Sequence, residues 1–131
     1  MVRRLDEEAV PSVYNRSDIP ERRRGESVTL QRFRGLDVNV GFVTKDVDTE
    51  PGEPHAHPWE QINYVLKGSC TFSVNGEALV VTEGDIFLIP PGVDHAYVSS
   101  DECCTLLTVS PLREDYLKDV EYQDEFVSLE E

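Results

Sequence analysis

The chain has 131 residues, of which 39% are hydrophobic and 29% charged. That is enough apolar material for one packed domain, too little length for two, and too apolar a composition for a disordered chain. Acids outnumber bases 26 to 12, a formal charge of -14, which repels nucleic acid and anionic membranes and excludes both as expected partners.

No apolar run approaches the ~20 residues that span a bilayer. The opening MVRRLDEEAV places acids where a secretory leader needs its apolar stretch, so a cytoplasmic location is expected. The cysteines are Cys70, Cys103 and Cys104, an odd set that argues against a disulfide framework. On a strand the adjacent pair points to opposite faces, which predicts one buried thiol and one exposed thiol. Residues 1–34 hold eight Arg and six acids, whereas residues 35–131 hold four basic residues and twenty acids. Many acids and only three lysines fit a protein that works in high salt, where screening removes self-repulsion.

In chain order, residues 1–27 are polar, with Pro11 and Pro20 as breakers, and form an N-terminal extension. From Val28 the texture changes to short β-like runs between turn residues. The predicted strands are 27–34, 37–44, 61–67, 70–75, 77–81, 85–89, 95–99 and 104–110. Asn75-Gly76 supplies the positive φ angles of a two-residue hairpin turn. Regularly spaced strands with little helix indicate an all-β sandwich or barrel. Residues 113–131 form an acidic tail with a short helix at most.

The chain has three histidines, His55, His57 and His95, all in or beside turns. Extended residues two apart share a face, with Cα atoms ~6–7 Å apart, so a His-x-His pair can converge on one ion. His95 follows the sharp Pro90-Pro91-Gly92 turn. By itself the pair is a weak signal, and a surface pair is about as good a reading.

The two surrounding stretches are His55-Ala56-His57-Pro58-Trp59-Glu60-Gln61 through Gly68, and Gly84-Asp85 through Pro90-Pro91-Gly92-Val93-Asp94-His95. They resemble the two motifs of the cupin family. Gly84, Pro90, Gly92 and His95 match the second motif at full spacing, with Ser99 where that motif often ends in Asn. Thr49 stands where the first motif opens on Gly. The resemblance implies a cupin double-stranded β-helix, a jelly-roll barrel over residues 28–112, with short irregular extensions at both ends. It also implies a homodimer in which the N-terminal arm, around residues 20–35, is exchanged.

The resemblance implies a metal held by the three histidines and by an acid or amide from the first motif. Glu60 is the harder donor, but Gly68 lies at the motif's spacing from Gln61. The alternation agrees: Ile62, Tyr64 and Leu66 share one face, and Gln61, Asn63 and Val65 share the other. Glu60 then points away, and Pro58-Trp59 must turn the chain. The expected set is His55, His57, Gln61 and His95. Imidazoles with an amide suit one divalent transition metal, Fe, Mn, Co, Ni, Cu or Zn, rather than Ca or Mg. A neutral shell leaves the ion its full charge, which attracts an anionic small molecule.

Around this site, Tyr97 shares a face with His95 and is the proton-transfer candidate. Phe72 and Val74 are expected in the core, and Trp59 at the mouth or at a dimer contact. Arg32 and Arg34 share a face that lines the barrel or meets a partner, and Arg22–Arg24 form a solvated turn. The Pro111-Leu112-Arg113-Glu114-Asp115-Tyr116 segment is similar to the tail of the ketouronate-linearising cupins of pectin and alginate breakdown, which implies that Arg113 binds substrate. Where that group has an Asp and a Phe, this chain has Leu107 and Val109. Two functions compete. One is a metal-dependent enzyme acting on a sugar-acid- or keto-acid-like substrate by isomerase, lyase or dioxygenase chemistry. The other is a non-catalytic module that binds a metal or small ligand.

Overall fold

A computed structural model describes residues 13–35 and 37–111. The expectations for residues 1–12 and 112–131, including the role of Arg113, lie outside the described residues.

Among the described residues nine strands follow in order: β1 (Arg22–Arg24), β2 (Val28–Arg34), β3 (Val38–Lys45), β4 (Gln61–Lys67), β5 (Ser69–Val74), β6 (Glu77–Thr82), β7 (Ile86–Ile89), β8 (His95–Ser99) and β9 (Cys104–Pro111). They form two antiparallel sheets, a six-stranded one in the order β1-β2-β3-β9-β4-β7 and a three-stranded one in the order β6-β5-β8. The fold is the expected jelly roll. The arginine run is the exposed strand β1, which pairs with β2 through Arg22↔Leu30. Asn75 at φ 53° and Gly76 at φ 81° make the β5–β6 hairpin turn.

The two sheets pack through residues that alternate along each strand. Val65, Phe72, Val81, Phe87, Ile89, Tyr97 and Leu106 form the core, together with Cys70 and Cys104. Each large apolar side chain contributes about 1.5–3 kcal/mol by leaving water. As expected, Cys104 is buried and Cys103 exposed. Gly68, at φ +79°, turns the chain from β4 into the other sheet, and a Cβ there would collide with the Cys103 carbonyl.

Register sets what faces inward. Asn39 pairs with Ser110, Gly41 with Thr108, Val43 with Leu106 and Lys45 with Cys104. The first two pairs give the barrel interior a polar end, and Val43 with Leu106 gives it an apolar middle. Beyond them Lys45 lies beside Cys104. On β4, Asn63 and Val65 are buried, while Ile62 and Tyr64 face outward beside Leu88 and Ile86 of β7.

Candidate metal centre

The His-x-His pair sits in a loop rather than within a strand. That loop is tied to β8 and to the turn before it by three sets of backbone bonds. His55 and His95 exchange both N–H···O bonds, at 3.1 and 2.9 Å, as an isolated antiparallel bridge. Gly52 N–H donates to the Tyr97 carbonyl at 2.9 Å, and Gly92 N–H donates to the His57 carbonyl at 2.8 Å. The Pro-Pro-Gly turn therefore brings the second motif against the first, with Gly92 at φ 76°.

The ligand atoms of His55, His57 and His95 all lie within 4.8 Å of one another. Adjacent donors in a tetrahedral or octahedral shell at ~2.1 Å stand ~3.0–3.4 Å apart, so the three rings close further to share an ion. Each ring has its Nδ1 against a backbone carbonyl: Glu53 for His55 at 3.2 Å, Trp59 for His57 at 2.8 Å and Val93 for His95 at 2.9 Å. A carbonyl only accepts, so each Nδ1 carries the proton and donates. In the neutral rings each Nε2 is left with a bare lone pair, the tautomer a metal ligand needs. Burial, aided by the charges of His55 and His57, pulls the His95 pKa below its ordinary value against the Val93 bond and Asp94. That favours the neutral ring.

Gln61 Oε1 stands 3.3 Å from His57 Nε2. Gln61 Nε2 donates to Asn63 Oδ1 at 2.9 Å, which turns the amide oxygen toward the histidines. Asn63 is fully buried, and among the described residues its Nδ2 has no hydrogen-bond partner. Two acceptors facing each other repel unless a cation lies between them. The residues present thus fit a divalent ion bound by three nitrogens and one amide oxygen. Glu60 is exposed and lies beside Val38 and Ile62, on the other face of the strand, as the alternation predicts.

Two lobes of one cavity meet at this centre. The outer lobe, about 210 Å³, is lined by residues that include Asn39, His57, Trp59 and Ser110. The inner lobe, about 380 Å³, includes Arg24, Lys45, Phe72, His95 and Tyr97. Arg32, Val43, His55, Gln61 and Thr108 belong to both lobes. Among the described residues no Asp or Glu lines either lobe. Gly41 makes room for the Arg32 arm, since a Cβ there would stand 3.9 Å from Nη1 and 2.8 Å from the Thr108 hydroxyl. A larger hollow of about 480 Å³, beside Tyr14, Phe33 and Phe42, includes none of the histidines.

Residues 44–130 match the family described as AraC-like ligand binding domain. The chain belongs to that family and is a cupin. This cupin is 28% identical over 90 residues to an uncharacterized protein of Streptomyces coelicolor, covering 68% of this chain and 84% of that one. It is 37% identical over 68 residues to the pectin degradation protein KdgF of Dickeya dadantii, covering 50% of this chain and 62% of that one. An RmlC-like cupin from Shewanella frigidimarina superposes with a TM-score of 0.71 at 26% identity, covering 84% of this chain and 99% of the other. KdgF from Halomonas sp. superposes at 0.69 and 23% identity, over 81% and 98%, a likeness of fold.

The remaining sequence candidates fall around the cupin's cavity. Tyr97 lines the inner lobe, but its hydroxyl is bonded to Ser100 Oγ at 2.7 Å, at the opposite end of β8 from His95. Burial raises its pKa above the usual phenol value, which keeps the phenol protonated. Phe72 is core and Val74 packs against the core. Trp59 lies flat on His57, with centroids 4.4 Å apart and planes within 4°. Lys45 was not singled out by the sequence reading. The signal for it was the inward alternation of Asn39, Gly41, Val43 and Lys45 along β3. Among the described residues, no helix is long and apolar enough to cross a membrane.

Proposed function

We propose that this cupin is a metal-dependent enzyme acting on a small, oxygen-rich anionic molecule, sugar-acid- or keto-acid-like, by isomerase, lyase or dioxygenase chemistry. One observation carries the proposal: His57 Nε2 and Gln61 Oε1 face each other at 3.3 Å beside two further imidazoles, at the junction of two lobes lined by basic residues and, among the described residues, by no acid. A bound divalent ion would polarise a carbonyl or carboxylate oxygen. The chain's own groups do the rest. Arg32, shared by both lobes, orients a substrate carboxylate by a charge-assisted fork. Phe72, Val43 and Leu106 form a wall that excludes water. Tyr97, whose hydroxyl is held by Ser100 away from the histidines, closes the far wall of the inner lobe, and Arg113 is a proposed second substrate contact.

A metal-binding ligand module without catalysis is the competing reading. The lack of a carboxylate among the described lining residues favours it, as does the ligand-binding family description. Metal analysis of the purified protein, followed by a screen of sugar acids and keto acids in D2O with oxygen monitored, separates the two. Turnover, deuterium uptake or oxygen consumption supports the enzyme. Saturable binding of an acid that is recovered unchanged supports the module. The proposal includes a cytoplasmic location and a homodimer, and the exposed Ile86 and Leu88 on the outer sheet face support the homodimer. Light scattering that gives a monomer mass rejects the dimer.

A further inference from the structure

The inner lobe holds a cation that the metal centre does not use. Lys45 ends β3 and lines the lobe with Tyr97 and Phe72. Its ammonium stands 4.2 Å from the centroid of the Tyr97 ring. Burial holds its pKa below the usual lysine value, and the other ionisable groups that act on it are the Cys70 and Cys104 thiols. The Cys104 thiol donates a hydrogen bond to Cys70 Sγ at 3.4 Å. Among the described residues no carboxylate offsets this charge, in a chain with 26 acids.

A cation drawn from water without a counter-ion is costly. A ring face returns only part of that cost. Arg32, and Arg24 at the exposed rim, also line this lobe, in a chain that as a whole is strongly acidic. Such a lobe attracts anions and concentrates them. His95 and Tyr97 are two residues apart on β8, with Cα atoms ~6–7 Å apart, and both line the lobe, so the Lys45 ammonium over the Tyr97 ring lies one strand repeat along from His95.

Resting on the metal-centre reading, we propose that the inner lobe is a second anion subsite. There Lys45 receives the distal acid group of a two-headed ligand whose other end, a 2-oxo or 2-hydroxy acid, sits at the histidines. The substrate class is then a short diacid or acid-terminated sugar derivative, about five or six carbons long. A ligand with only one acid group leaves Lys45 uncompensated. No bond forms or breaks in this step.

Isothermal titration of the metal-loaded protein tests this with 2-oxoglutarate and 2-oxoadipate against 2-oxopentanoate, which lacks a distal carboxylate. Metal content is measured on every sample. The expected result is about tenfold or greater preference for a diacid, the scale of one charge-assisted hydrogen bond. In Lys45→Met the preference disappears while the affinity for 2-oxopentanoate and the metal content stay. Lys45→Arg retains part of the preference. Equal binding of mono- and diacids by the wild type, binding of none of them by metal-loaded protein, or an undiminished preference in Lys45→Met overturns the subsite and leaves the centre standing. A protein that takes up no metal overturns the centre itself.

Discussion

His57 Nε2 faces Gln61 Oε1 at 3.3 Å, and in the tautomer whose Nδ1 donates to the Trp59 carbonyl, with Gln61 Nε2 donating to Asn63, two acceptors meet. A divalent ion turns this repulsion into a pair of bonds. Added Mn, Co, Ni or Zn should therefore raise the melting temperature. At a hundredfold excess over Kd the gain is ~2.7 kcal/mol, a shift of several degrees. Chelator reverses it. A melting curve that no first-row metal moves would remove the ion from the account.

Gln61→Glu keeps the oxygen and adds a charge to the shell. Metal should bind more tightly, and the centre should hold anionic ligands more weakly, since the ion's charge is partly neutralised. Competition with a chelating dye gives the first quantity, and titration with 2-oxopentanoate gives the second. A rise in both affinities would contradict the reading of a neutral shell.

Asn63 acts through Gln61, whose amide it orients at 2.9 Å. Asn63→Ala should weaken metal binding ~10–100-fold, the usual effect of losing such a support. Its thermal cost without metal should stay small, because the change also removes a buried Nδ2 that has no partner. Equal loss of stability with and without metal would make Asn63 a packing residue only.

Lys45 has its pKa lowered from 10.5, chiefly by burial. The unfolded chain therefore binds this proton more strongly, and the folded state carries a penalty that is complete below the folded pKa. The penalty fades as pH rises toward 10.5. Lys45→Met should melt higher than the wild type at neutral pH, with the difference shrinking in alkali. A difference that grows with pH would have the wrong sign.

The charge of -14 opposes compaction. Melting temperature should climb with KCl through the range in which screening shortens to a few ångströms. A flat salt response would reject a high-salt origin for this composition.

Much of the fold was legible because its signals are local. Asn75-Gly76 takes the positive φ angles it needs wherever it stands, and the predicted strand limits from β2 onward fall within one or two residues of those observed. Alternation was also enough to turn Gln61 inward and Glu60 outward. The His-x-His pair was pictured on an extended run. It lies in a loop, held by its double bond to His95, because that partner arrives from another part of the chain.

Sequence by itself determined the donor types, their spacing and an all-β sandwich or barrel, since these follow from side-chain chemistry and from the two-residue period of a strand, and the resemblance of its two motifs to those of the cupins implied the jelly roll. Only the tertiary structure decided which nitrogen each histidine offers, that Trp59 braces His57, and that Lys45 shares a lobe with the histidines. Those outcomes depend on backbone carbonyls and rings brought together by the packing of two sheets, and no run of neighbouring residues encodes such distances.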